Sequence, residues 1–247
     1  MRVLFHAEQP IPPAGPVPGR ATRLVDLGFP CALACPRCEH APFAPSYHRA
    51  RRRLLEAAGS PDVRELRAGF YGGDPFALPR SFEALLAEVH GECTRRGKSF
   101  QAVALSTGMR WSADALRRAC GLGVGAVQVV LDGPPELHDP RHPSREGGGA
   151  GGSFARIVET LKYDRGEAAV VVRIDAALGA EAVEDLANRL DDEGLFAEPN
   201  PVTLLVADHA PHPVQARDLL ELAIGGGGPG GRWQVAAGAC PSAAPAP

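Results

Sequence analysis

Val124-Gly125-Ala126-Val127-Gln128-Val129-Val130-Leu131 is an almost continuous apolar run, and it stops at Asp132-Gly133-Pro134. A short run of this kind reads as a strand covered on both faces, as strands are in a parallel sheet. Working outward, the pattern recurs. Phe100 to Leu105 stops at Ser106-Thr107-Gly108, and Leu66 to Tyr71 stops at Gly72-Gly73-Asp74-Pro75. Thr22 to Leu27 runs into a cysteine-rich loop, Ala169 to Ile174 reaches Asp175, and Val202 to Val206 is a sixth strand. Helical segments fall between them: Arg49 to Ala58, Ser81 to Arg96, a helix begun by Ser112 and stopped by Gly121, Phe154 to Tyr163, Ala180 to Glu193 and Val214 to Ile224. Phe82, Leu85, Leu86 and Val89 show the helical period in one of them, and Ile157, Val158 and Leu161 in another.

Strand alternating with helix predicts a parallel sheet with helices outside. Six units are too few for a closed eight-stranded barrel, so the expected fold is α/β, a partial (β/α)6 TIM-like barrel. The working face of such a fold is the C-terminal rim of its strands. The cysteine loop, Gly72-Gly73-Asp74, Ser106-Thr107-Gly108, Asp132-Gly133 and Asp175 all fall where a predicted strand ends.

The chain has 247 residues, 45% of them hydrophobic and 22% charged, with a net charge of −3. This balance gives no electrostatic reason to expect nucleic acid or an anionic membrane as partner. No stretch approaches the roughly eighteen apolar residues of a membrane span, and no signal peptide is evident. A cytoplasmic location is expected, where cysteines stay reduced and a cluster of them reads as metal binding. Glycine and proline gather in Pro10 to Gly19, Gly147 to Gly152 and Gly225 to Gly231. The expected division is a proline-rich arm over residues 1–19, a core domain over 20–224 and a Gly/Pro/Ala-rich tail over 225–247.

Three of the six cysteines lie in Pro30-Cys31-Ala32-Leu33-Ala34-Cys35-Pro36-Arg37-Cys38. Cys93 and Cys120 fall in helical segments as packing residues, and Cys240 is isolated. Three soft thiolates on one short loop are close enough to bite a single metal centre. Buried cysteines, a zinc site completed by His40, and a 4Fe–4S cluster with one iron left open are the three readings of this spacing.

At this point the sequence resembles the radical S-adenosylmethionine (radical SAM) superfamily, over roughly Arg20 to Phe196. The triplet Cys31, Cys35 and Cys38 is similar to the family's cluster motif, and Gly72-Gly73-Asp74-Pro75 to its Gly-Gly-Glu-Pro. Ser106-Thr107-Gly108 stands where Thr-Asn-Gly is usual. Val127 to Asp139, Gly152-Ser153-Phe154 and Val172-Arg173-Ile174-Asp175 resemble the peptide- and protein-modifying branch, the SPASM-type maturases.

The resemblance implies a 4Fe–4S cluster on Cys31, Cys35 and Cys38, and S-adenosylmethionine held by Gly72, Gly73, Asp74, Ser106, Thr107, Asp132 and Arg173. It implies reductive cleavage of that cofactor to a 5′-deoxyadenosyl radical, which takes hydrogen from an unreactive carbon. The substrate implied is a peptide or protein side chain, a ribosomal precursor peptide among the candidates, and the electron donor a flavodoxin or ferredoxin. No general acid or base stands out beside the cofactor motifs, and the catalytic residue is unknown. An inactive binding partner of a modification system, or a zinc-stabilised module, remains the alternative.

The motifs also have plainer readings. Asp132-Gly133-Pro134 is a common strand-ending turn, Ser112 an N-cap, and His138 and Asp139 loop-shaping groups. The arginines Arg49, Arg51, Arg52 and Arg53 read as a solvated helix face, one that would also suit an acidic leader peptide. The sequence departs from the family at Arg37, often aromatic, at Asp74 for Glu, at Val130 for Ser and at His142 for Arg. Gly238-Ala239-Cys240 resembles the first step into the branch's C-terminal cluster domain, of which the rest is not expected here.

Overall fold

The computed structural model describes residues 3–5, 17–36, 44–146, 152–162, 168–197 and 201–207. In chain order they form β1 (Val3–Phe5), β2 (Arg20–Asp26), α1 (Ala44–Gly59), β3 (Glu65–Tyr71), α2 (Pro79–Arg95), β4 (Ser99–Ser106) and α3 (Ala113–Gly121). There follow β5 (Val124–Val130), α4 (Pro135–Arg141), α5 (Gly152–Lys162), β6 (Ala169–Asp175), α6 (Ala180–Asp192) and β7 (Thr203–Ala207). One sheet holds all seven strands in the order β1-β7-β6-β5-β4-β3-β2, and every neighbouring pair is parallel. Strands β2 to β7 thus lie side by side in sequence order, the wall of a partial (β/α)6 barrel. The expected fold is the observed one.

The apolar pattern explains the layers. In β5 the residues Ala126, Val127, Gln128 and Val129 are all buried, because helices cover one face and the barrel interior closes the other. The outer layer packs Phe70 edge-on to Phe82, ring centroids 5.1 Å apart, among Leu85, Leu86, Ile157 and Leu161. Each such side chain contributes roughly 1.5–3 kcal/mol on burial. The inner layer is smaller: Val103, Leu105 and Ala126, with Leu24, Tyr71 and Ala169 against them. At the opposite, N-terminal end of the strands, Glu65 accepts from Arg20 and Arg67, each at 2.6 Å.

Two elements differ from expectation. Val3–Phe5, placed by composition in a proline-rich arm, extends the sheet by pairing with β7 in the register Val3↔Leu204. Helix α4 occupies what reads as the start of a glycine-rich loop. Pro135 sits at the first helical position, where its missing N–H costs nothing, and Pro140 comes so late that it forfeits one bond. The helix expected over Val214 to Ile224, the tail, Arg37, Cys38, His40 and Cys240 lie outside the described residues.

Candidate functional site

The strands deliver their polar ends to one rim. Asp26 ends β2, Gly72-Gly73-Asp74 follows β3, Ser106 ends β4, Asp132 follows β5 and Asp175 ends β6. Two local constructions stand there.

The first is built on Asp74, which has no exposed surface. Its Oδ1 accepts from the backbone N–H of Phe76 and from Ser106 Oγ, both at 3.0 Å. Its Oδ2 accepts from the Thr107 N–H at 3.3 Å and from the Thr107 hydroxyl. Burial pushes the carboxyl above its usual range, opposed only in part by these neutral donors. Gly72 and Gly73 carry positive φ angles, 82° and 91°. A Cβ on Gly72 would lie 1.7 Å from Asp26 Oδ1, so only glycine permits the approach. Asp26 in turn accepts from the Gly28 N–H at 2.8 Å, shaping the lead into the cysteine loop. Ser106, Thr107 and Asp74, named separately from the sequence, are thus one unit.

The second is the cysteine loop, which is sewn down on both flanks. On one side the β2–β3 ladder continues past the strands: Leu27 N–H donates to Tyr71 O at 2.8 Å, Phe29 N–H to Gly72 O at 3.0 Å and Asp74 N–H to Pro30 O at 3.1 Å. On the other side lies the segment after α4. Ala34 N–H donates to Pro143 O at 2.7 Å and Arg145 N–H to Ala32 O at 2.8 Å. Leu33 forms an antiparallel bridge with Ser144, and Arg145 Nε donates to Leu33 O at 2.7 Å.

Between these straps Cys35 Sγ stands 3.0 Å from His142 Nδ1, and His142 Nε2 stands 3.0 Å from Asp132 Oδ2. Burial disfavours the charged imidazole, but Asp132 and Cys35 outweigh it and push His142 up to about 9. Burial likewise acts against the Asp132 carboxylate, and His142 overcomes it, holding the carboxyl below its usual range with help from His138 and Arg141. His138 lies against His142 with ring centroids 4.7 Å apart. Its Nδ1 accepts from the Asp132 N–H at 3.1 Å, and burial together with its charged neighbour brings it down to about 3. Asp139 accepts from Ser153 Oγ at 2.9 Å and from the Phe154 N–H at 2.8 Å, holding the start of α5. His138 and Asp139 do shape the loop.

Other expected residues take simpler places. Arg173 is buried in β6, paired in register with Val130; burial lowers its pKa against the pull of Asp175 and Asp132. Ser112 caps α3 by accepting from the Ala115 N–H at 3.3 Å. Arg49, Arg51, Arg52 and Arg53 form an exposed face of α1. Cys93 is buried in α2 and Cys120 packs on the core. His142, noted in the sequence only for replacing an arginine, is the candidate site residue that the sequence did not single out. The partner Cys35 lies 107 residues away, and no local signal joins them.

Among the described residues no three His, Cys, Asp or Glu side chains gather as a metal site, the loop's third cysteine, Cys38, lying outside them. The donor chemistry nonetheless fits a thiolate-ligated cluster. Cys31 Sγ accepts from the Leu33 N–H at 3.4 Å and Cys35 Sγ faces His142, and contacts of this kind to sulfur are what tune such centres.

The fold and the rim define the class first: a partial parallel barrel with a cysteine loop strapped across its C-terminal mouth. Solved radical SAM enzymes share this fold. Native anSMEcpe with bound AdoMet is 14% identical, with a TM-score of 0.57, over 76% of this chain and 52% of that one. The same protein with bound AdoMet and Cp18Cys peptide gives 13%, 0.59, 77% and 51%. Methylornithine synthase (PylB) gives 13%, 0.50, 85% and 55%. The chain therefore spans about half the length of the solved structures it matches. No protein-family model matches the sequence, and no curated protein is significantly similar to it. Among the described residues no helix is long and apolar enough to cross a membrane.

Proposed function

We propose that the chain is a radical SAM enzyme of the peptide-modifying kind, with its core over residues 20–224. Cys31, Cys35 and Cys38 hold a 4Fe–4S cluster, and S-adenosylmethionine binds beside it on the same rim. Bound there, cluster and cofactor would supply one-electron reductive cleavage of S-adenosylmethionine, the source of a 5′-deoxyadenosyl radical able to take hydrogen from a peptide or protein side chain. The electron comes from a donor of the flavodoxin or ferredoxin class. The observation that carries this reading is the cysteine loop, tied on one flank to Gly72-Gly73-Asp74 and on the other to the segment that follows Asp132. Three sequence motifs thereby meet in one place at the mouth of a radical SAM fold.

The chain's own residues divide the work. Gly72 and Gly73 let the cofactor approach the backbone closely. Asp74 fixes Ser106 and Thr107 beside them; a methionyl ammonium reaching its carboxylate shares lone pairs already engaged by both side chains. Asp132, just past β5, and Arg173 of β6 would hold the cofactor on the rim, and the apolar inner layer would exclude water from the site. The peptide substrate is supported by the likeness to anSMEcpe, which was solved with bound AdoMet and a peptide.

A second reading has one specific observation behind it. Cys35, His142 and Asp132 line up as nucleophile, base and orienting carboxylate, the arrangement of a thiol nucleophile. The two further cysteines on the same loop favour the cluster. Anaerobic reconstitution with iron and sulfide, followed by reduction with S-adenosylmethionine present, separates the readings. Iron and sulfide bound in a form that depends on Cys31, Cys35 and Cys38, with 5′-deoxyadenosine released, is the expected result. A cluster without cleavage identifies the inactive binding partner. Zinc without sulfide identifies a zinc module, and a metal-free protein whose Cys35 is rapidly alkylated identifies the nucleophile.

A further inference from the structure

We infer that His142, steadied by Asp132, donates a hydrogen bond to the Cys35 sulfur and raises the reduction potential of the cluster that this cysteine serves. The inference rests on the cluster reading given above.

The geometry is fixed from three sides. The imidazole Nδ1 is 3.0 Å from Cys35 Sγ, and Nε2 is 3.0 Å from Asp132 Oδ2. His138 lies against the ring at a tilt of 33°, itself anchored by the Asp132 N–H. The backbone on either side of the contact is also pinned, since Ala34 bonds to Pro143 and Arg145 to Ala32. Neither the ring nor the sulfur reaches its position by free rotation of a surface side chain.

Donor and acceptor roles follow from the partners. A metal-bound thiolate has no proton to give, and a carboxylate accepts only. Each ring nitrogen of His142 therefore donates, one hydrogen to Cys35 Sγ and the other to Asp132. Reduction of the cluster is a one-electron uptake from the external donor, with no proton moved. The added negative charge spreads onto the sulfurs, so a donor on one of them stabilises the reduced form more than the oxidised form. Hydrogen bonds to sulfur are an established lever on cluster potential. Asp132 acts here as a positioning residue, setting the direction in which Nδ1 points.

The test is potentiometric titration of the reconstituted full chain without S-adenosylmethionine, following the spectroscopic signal of the reduced cluster. Wild type is compared with His142→Leu, His142→Gln and Asp132→Asn. His142→Leu is expected to lower the ratio of reduced to oxidised cluster at a fixed potential about tenfold, equivalent to about 59 mV for one electron. His142→Gln restores part of the loss, because its amide supplies an N–H. Asp132→Asn gives a smaller shift of the same sign. If His142→Leu fails to load, the other two variants still carry the comparison. Clusters that load fully in all variants and keep the wild-type midpoint overturn the inference while leaving the cluster reading intact. A wild-type chain that takes up no iron or sulfide overturns the cluster reading itself.

Discussion

Asp74 and Asp132 both follow a strand end on the same rim, and the molecule uses them in opposite ways. Asp74 is sealed from solvent and meets neutral donors, two backbone N–H groups and two hydroxyls. Its carboxyl is pushed up. Asp132 keeps some exposure and meets ionisable partners, His142 and Arg141, which hold its carboxyl down. Neutral donors tie backbone segments together around a single carboxyl group. Ionisable partners pass an electrostatic influence onward, in this case to the sulfur of Cys35. One carboxylate ties neutral groups of the rim together, and the other joins an ionisable network.

Removing each carboxylate in turn from the chain, purified with no iron, sulfide or S-adenosylmethionine added, tests the difference most directly. Asp74→Leu strands several buried donors and is expected to cost about 3 kcal/mol or more in urea unfolding. Asp132→Asn keeps an acceptor for His142 and is expected to cost only about 1 kcal/mol. Equal losses would remove the distinction.

Titration sharpens it. His138 is lowered to about 3, so its unfolded form binds a proton first. The stability it contributes is complete above about pH 6.5 and is lost as pH falls toward 3. The expected loss is about 2 kcal/mol between pH 7.5 and pH 5. His142 is raised to about 9, so its contribution is complete below about pH 6.5 and is lost as pH rises through 9. Unfolding followed across pH should show the acid arm flattened in His138→Gln and the alkaline arm flattened in His142→Gln. Unchanged arms would detach both rings from the rim's electrostatics.

A smaller effect separates two left-handed glycines. Gly72→Ala drives a Cβ to within 1.7 Å of Asp26 Oδ1 and is expected to cost about 2 kcal/mol. Gly97→Ala, with φ of 66° and nothing within 4 Å, pays only the backbone strain, about 1 kcal/mol. Smallest of all is Arg51→Ala: its ion pair with Glu88 lies in solvent, and the melting midpoint should not move measurably.

The sequence made the barrel legible because each strand is a short apolar run with a hard stop. Gly72-Gly73-Asp74, Ser106-Thr107-Gly108 and Asp132-Gly133-Pro134 are those stops, and placing strand ends side by side placed the rim. What it hid was contact across the chain. Asp74 reads as a group facing outward to a ligand, whereas Ser106 and Thr107 enclose it from 32 and 33 residues away. His142 reads as a departure from a motif, and only the folded loop turns it toward Cys35. Helix α4 was masked by Pro134, Pro135 and Pro140, whose usual meaning is a turn. Strand β1 has three residues, too short for any periodicity to declare it.

That short strand has a consequence for how the chain assembles. Strands β2 to β7 pair successively and can add one after another as they emerge during synthesis. β1 cannot join them, because its partner in the sheet is the last of the described strands, Val3 facing Leu204. Closing so long a span is slow relative to the local steps. Until it closes, the outer edge of β7 offers unpaired N–H and C=O groups to other chains. The earliest described strand is thus the latest to find its place, and once there it covers the edge of β7.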